Sequence, residues 1–270
     1  MQIQGRFILC TCDEFDNWLA AVKASRAVTL IQNHHTWSPS YAHFNGSNHY
    51  ALLHSMEDFH VRERGFDMIA QNLTTFPDGT VAVCRPLDRI PAGIKGANQK
   101  GICIEHLGNF DQGGDTMTAA QRDTIIRVNA ALCRCFDLVP STGSLVYHHW
   151  YDLDSGTRTN GSGTTKSCPG TNFFGGNSVA AAETGFVPLV RQALNNRTGW
   201  VVAVPSTTQT ATVTPVLLNV RNGAGVHYAV LKQLQHGTAV PLYEQRDGWC
   251  RIAAERQEWV CERYLKRQIA

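Results

Sequence analysis

Hydrophobic and polar positions follow two different rhythms along this chain, and the change falls near residue 203. Before it, apolar residues recur at helical spacing in several places, with strand-like runs between them. Phe15, Trp18, Leu19 and Val22 mark an amphipathic helix over 13–24, with Asp13 as its cap. Leu53, Met56 and His60 mark a second over 49–62, and Gly65 stops it. A third begins at Thr118, where Thr118 and Gln121 form a capping box and Ile125, Val128, Leu132 and Phe136 supply the apolar face. A last helix covers about 186–195. The strands read as VTLIQN (28–33), IAQNLTTF (69–76), TVAVC (80–84), GICIEHL (101–107) and SLVY (144–147), the second and third joined through Pro77-Asp78-Gly79 as a hairpin. Residues 152–167, rich in Ser, Thr, Gly and Asn, read as a loop, with 152–165 its mobile part. Helices and strands mix without a regular βαβ repeat. The expected fold class is α/β, a mixed central β-sheet flanked by helices.

Residues 203–215, AVPSTTQTATVTP, are polar, Thr-rich and flanked by prolines, as a linker should be. Short apolar runs split by turn residues follow: LLNVR, AVLKQL, AVPLYEQRDGW, CRIA and EWVC. They predict a small all-β barrel. The expected division is a domain over 1–200, a linker over 201–214 and a second domain over 215–268.

Composition narrows the function classes. A chain of 270 residues, 43% hydrophobic and 17% charged, can bury a core in one or two domains. A formal charge of +2, without a basic run interleaved with aromatics, gives no footprint for nucleic acid. No stretch has the length of a membrane span. The N-terminus brings Asp13, Glu14 and Asp16 too early for a Sec-type signal peptide, so synthesis in the cytoplasm is expected. Nine cysteines, an odd number without a CxxC pair, then read as reduced thiols, most of them small buried hydrophobes. Cys133 and Cys135 lie two apart on a predicted helix and make a poor metal pair.

Chemistry concentrates in three places. His34-His35 follows the first strand, His148-His149 follows a later one, and Cys168 lies in Lys166-Ser167-Cys168-Pro169-Gly170 after the Gly-rich loop. Two histidines and a thiolate make a catalytic zinc set, with a fourth position left for water. Such an ion would activate water and polarise an amide carbonyl. Any one of these histidines is by default an ordinary core or surface residue. Spacing alone leaves the metal set and coincidence equally open.

The joint order of motifs resembles the zinc amidases of the peptidoglycan-recognition-protein superfamily, which includes phage lysozyme-type and AmpD-type enzymes. The matching residues are Ile31-Gln32-Asn33-His34-His35-Thr36, Arg64-Gly65-Phe66, Asp78-Gly79, GICIEHLGNF, MTAAQ and Lys166-Ser167-Cys168-Pro169-Gly170, within about 28–195. The resemblance implies hydrolysis of the amide between N-acetylmuramic acid and L-alanine in peptidoglycan. It implies Zn2+ held by His34, His148 and Cys168, with His149 the second choice to His148. It also implies that Lys166 stabilises the oxyanion. Phage-type members carry a Tyr where this chain has Gln71, and an amide cannot do its acid–base work. AmpD-type members use a Glu in the central strand, matched here by Ile104-Glu105. Glu105 is therefore expected to be the general base. The alternative is an outward-facing Glu on a half-exposed strand.

The C-terminal part resembles a bacterial SH3-like domain that attaches hydrolases to cell-wall peptide. The residues are Leu218-Asn219-Val220-Arg221, Gly223, Gly225, Gly248-Trp249-Cys250-Arg251-Ile252 and Glu258-Trp259-Val260. Trp249 and Trp259 serve either an exposed binding face or the barrel core.

Two other readings stand beside the amidase. Superfamily members lacking a zinc ligand recognise peptidoglycan without cutting it. A cell-wall cysteine peptidase would use Cys168 as nucleophile, but there the thiol usually precedes its histidine and opens a helix. A zinc deaminase lacks its His-x-Glu and Pro-Cys-x-x-Cys signatures here. The expected protein is monomeric and acts on the cell wall after lysis or non-Sec export, as an endolysin or an effector.

Overall fold

The computed structural model describes residues 1–22, 24–195, 210–226, 228–246, 248–253 and 258–267. The chain divides into two compact units, Met1–Arg197 and Thr198–Ala270.

Unit 1 is built on a seven-stranded sheet: β1 (Gln2–Gln4), β2 (Phe7–Cys10), β3 (Leu30–His35), β4 (Leu73–Thr75), β5 (Val81–Val83), β6 (Gly101–His106) and β7 (Leu145–Tyr147). Their order is β1-β2-β5-β4-β6-β3-β7. The β1-β2-β5-β4 half is antiparallel and the β4-β6-β3-β7 half parallel, so the sheet is mixed. The hairpin β1–β2 is not anticipated by the pattern, because its apolar run is only Phe7–Cys10. Tertiary pairing with β5 and burial of Phe7 and Leu9 hold it.

Helices cover both faces. α1 (Cys12–Ala21), α3 (Ala119–Cys135) and α5 (Val187–Asn195) pack Phe15, Leu19, Ile125, Val128, Leu132 and Val190 against Ile31, Leu73, Ile102 and Ile104. On the other face α2 (His49–Arg62) brings Leu52, Leu53 and Met56 onto Phe7, Ala82 and Cys84. Each buried side chain of this size contributes about 1.5–3 kcal/mol through removal from water. The alternation of side chains along β3 and β6 decides what faces which layer.

Two caps differ from the expected ones. Thr11, not Asp13, starts α1: its hydroxyl accepts from the Glu14 backbone while the Glu14 carboxylate accepts from the Thr11 N–H. Asp13 lies in the first turn and pairs with Arg127 instead. Thr118 does cap α3 through the Gln121 N–H. The Gln121 side chain does not reciprocate, because it donates inward to the carbonyls of Thr75 and Leu107. The last helical stretch starts before the expected residue, with α4 (Val179–Ala181) leading through Ala182–Phe186 into α5.

Unit 2 is all-β. β9 (Leu217–Arg221), β10 (Val230–Gln235), β12 (Glu244–Arg246), β13 (Trp249–Arg251) and β14 (Trp259–Cys261) form one antiparallel sheet in the order β10-β9-β14-β13-β12. β8 (Thr210–Val213), β11 (Ala239–Pro241) and β15 (Leu265–Arg267) form another, in the order β11-β8-β15. Ala211, Val213, Leu218, Val220, Val240, Cys250 and Val260 make the core. Trp259 is fully buried and Trp249 half-buried. Residues 201–209 of the expected linker lie outside the described residues. Its end is strand β8, where Ala211 and Val213 turn inward between threonines.

Candidate metal centre

The parallel register sets up the site. His34 in β3 is paired with Glu105 in β6, and Glu105 with Thr74 in β4, so the three stand in one row. Residues two apart on a strand share a face, so Gln32 lies with His34 and Cys103 with Glu105. Ile31, Ile102 and Ile104 serve the helix-packed core, where Asn33 bonds to Asn129 of α3.

β7 pairs with β3 through Asn33 and Tyr147, and His148 is the next residue. There the chain turns sharply, with the Tyr151 N–H bonded to the His148 carbonyl. The Nδ1 atoms of His34 and His148 come to 3.2 Å. Cys168 completes the group: donor atoms of His34, His148 and Cys168 all lie within 4.8 Å of one another, and all three residues are buried. His149 lies outside this group. It is half-buried, its Nδ1 lies 2.7 Å from the Lys166 carbonyl, and its own N–H is bonded to the Cys168 carbonyl.

The Cys168 loop is held from behind. Asp111 accepts from the Ser167 hydroxyl at 2.9 Å and from the Thr171 N–H at 3.0 Å. Gly170, at φ +120°, lies so close to Phe110 that a Cβ would meet its carbonyl carbon and oxygen at 2.4 Å. Only glycine permits both that φ and that approach.

Burial dominates the electrostatics. It holds His34 well below the usual imidazole range, with the neighbouring His148 and Lys166 adding to the effect. It pushes His148 down to about 3, again with Lys166 adding. Both imidazoles are therefore neutral, the form that ligates metals. Burial drives the Cys168 thiol well above its ordinary value, with Glu105 adding and the His35 backbone N–H and Lys166 opposing. Burial also raises Glu105 to about 8, against the opposing charge of Lys166. Lys166 is exposed, and its charge is felt at all four groups.

Glu105 does not face outward to solvent. Its Oε1 lies 3.8 Å from His34 Nδ1, and its Oε2 is buried without a partner among the described residues. Gln71 is buried and donates to Thr74 at 3.0 Å. The 152–167 segment is tied rather than loose: Asp152 accepts from the backbone N–H groups of Ser155 and Thr164, and Leu153 bonds to Thr164. Lys95 reaches the Asp154 carbonyl.

The residues present fit a zinc ion. Two neutral imidazoles and a thiol converge, and Glu105 beside His34 carries a buried oxygen, Oε2, without a partner among the described residues. A bound ion would favour the Cys168 thiolate, opposing the effect of burial. Sequence reasoning missed Asp111, for which no local signal exists. It read Cys103 only as a small hydrophobe, although its position two before Glu105 places both on one face.

Fold and site together define a mixed-sheet α/β protein with a buried three-donor centre at the ends of parallel strands. The family profile described as N-acetylmuramoyl-L-alanine amidase matches residues 24–171, more than half of the chain. The chain belongs to the N-acetylmuramoyl-L-alanine amidase family. No curated protein matches it. Among solved structures it is similar to wild-type Drosophila PGRP-LB, at 18% identity and TM-score 0.46, covering 60% of this chain and 84% of that one. It is also similar to the N-acetylmuramoyl-L-alanine amidase LysC from Clostridium intestinale, at 21% identity and TM-score 0.40, covering 57% and 85%. Among the described residues no helix is long and apolar enough to cross a membrane.

Proposed function

We propose that this protein is a zinc-dependent amidase that hydrolyses the bond between the lactyl group of N-acetylmuramic acid and L-alanine in bacterial peptidoglycan. The observation that carries this reading is the convergence of His34, His148 and Cys168 within 4.8 Å, with Glu105 in register beside His34. These three residues would hold the zinc. When bound, zinc supplies Lewis acidity toward the amide carbonyl and lowers the pKa of water.

The chain's own residues account for the proton movements. Burial alone favours the protonated form of Glu105; with a cation held beside it the carboxylate would be favoured, and it can then take the proton of the attacking water and return it to the departing L-alanine amine. Lys166 reaches the site with its positive charge from the exposed side and would stabilise the oxyanion. Gln71 has no proton affinity near neutral pH and serves through its bond to Thr74. Asp111 and Gly170 keep the Cys168 loop in place.

Two alternatives are less well supported. A non-catalytic recognition protein would not need a full donor set with a carboxylate of raised pKa beside it. A cysteine peptidase needs an accessible, acidified thiol, whereas Cys168 is buried and its thiol is raised. Unit 2, with its small antiparallel sheets and apolar core, is proposed as a bacterial SH3-like module for cell-wall peptide. The protein would then act on the wall as a monomer.

The test is hydrolysis of a soluble muramyl-L-alanyl peptide before chelation, after chelation and after zinc is restored. Loss with chelation and return with zinc supports the amidase. Activity that survives chelation but not thiol alkylation supports the peptidase.

A further inference from the structure

Cys103 stands two residues before Glu105 in β6, and its register partner in β3 is Gln32, two before His34. Ligand atoms of His34, Cys103 and Glu105 all lie within 4.8 Å of one another, a second set that shares His34 with the first. Two members carry a buried atom without a partner among the described residues, His34 Nε2 and Glu105 Oε2. The thiol is fully buried. Behind it is wall: a Cβ on Gly93 would lie 2.8 Å from Cys103 Sγ and 2.3 Å from Gln32 Oε1. Other buried thiols are engaged differently, since Cys10 lies 3.4 Å from the Val81 carbonyl and Cys84 lies 3.6 Å from the Ala82 carbonyl.

We propose that His34, Cys103 and Glu105 form an inner metal position, overlapping the first, for a thiophilic divalent ion such as zinc or cadmium. The inference rests on the zinc reading above. Imidazole, thiolate and carboxylate suit such an ion and disfavour magnesium or calcium. Binding releases the Cys103 proton to solvent and forms one sulfur–metal bond. Because His34 belongs to both sets, one ion holds one position or the other. In the inner position Glu105 is a ligand, and its lone pair is withdrawn from proton transfer. That position is a resting state, and the outer one leaves Glu105 free.

The test loads the full-length protein with one equivalent of cadmium and reads the thiolate-to-metal charge-transfer absorbance. The expected result is that Cys103→Ala and Cys168→Ala each keep a thiolate–cadmium band, because the ion moves to the position that remains, and that the double variant loses it. A full wild-type band in Cys103→Ala, with none in Cys168→Ala, overturns the inner position and leaves the outer one standing. A wild-type protein without any band overturns the zinc reading as well. Cys103→Ser, closer in volume, gives the same comparison if the alanine variant does not fold. At one zinc per chain, turnover should rise in the folded Cys103 variant, and an unchanged rate overturns the resting role.

Discussion

His34 and His148 are 114 residues apart in the chain, yet their Nδ1 atoms lie 3.2 Å from each other. The parallel pairing of β3 with β7 produces this contact, because both histidines lie at or just past the ends of strands in register. Two imidazoles held this close, with a thiol beside them, could hold one shared cation, which is the zinc proposed above. Zinc should therefore remain tightly bound to the wild type after dialysis. Elemental analysis should find it lost from His148→Ala and Cys168→Ala but kept by His149→Ala, whose ring is turned to the Lys166 carbonyl. Retention in Cys168→Ala together with loss in His149→Ala would reassign the ligands.

Glu105→Gln keeps the shape of the side chain and removes its basic oxygen. Turnover on a soluble muramyl peptide should fall by roughly 10²–10⁴-fold, with zinc content unchanged. Lys166→Ala should lower turnover by about 10²–10³-fold through lost charge stabilisation. Near-normal turnover in Glu105→Gln would move the proton transfer to another group and require Gln71 or His149 to be tested.

Much of this site could be read from the sequence, and the reason is local. His34, His148 and Glu105 sit on short apolar runs whose ends are plain in the pattern, and Lys166-Ser167-Cys168-Pro169-Gly170 is a compact motif. Choosing His148 over His149 rested on resemblance. The structure brings His148, not His149, beside His34 and Cys168 through strand register, which no single strand encodes. The same limit hid the Thr74, Glu105 and His34 row, since three separate strands must align to make it. The opening hairpin was hidden because Phe7–Cys10 becomes a strand only through its pairing with β5. The 152–167 segment is Gly- and Ser-rich, as loose loops are. Its hydrogen bonding centres on one acid, Asp152, which composition cannot single out.

Acid should weaken the fold through His106. Burial holds this fully buried histidine at about 3, where it bonds to Thr75 and Asn33. A free histidine titrates near 6.5, so between these values the unfolded chain binds the extra proton. The contribution is whole above about pH 6.5 and is lost as pH falls toward 3, with a slope of up to about 1.4 kcal/mol per pH unit. Urea unfolding of zinc-free protein at pH 7 and pH 5 should show a smaller loss in His106→Gln than in wild type. Equal losses would mean that His106 does not carry the effect.

A chain ending near residue 202 retains all of unit 1, Met1–Arg197. It should cleave a soluble muramyl peptide at the full-length rate and bind whole cell walls less well in a sedimentation assay. A folded truncated protein that is inactive on the soluble substrate would show that unit 2 takes part in catalysis.

The central claim concerns which bond is cut, and the new chain ends report it directly. Purified bacterial sacculi digested with the zinc-loaded protein should release stem peptides with a free L-alanine amine, leaving glycan strands whose lactyl groups end in a carboxylate. Mass spectrometry should find these ends with the loaded protein, lose them after chelation and recover them when zinc is returned. New reducing sugars, or cuts within the peptide, would contradict the account.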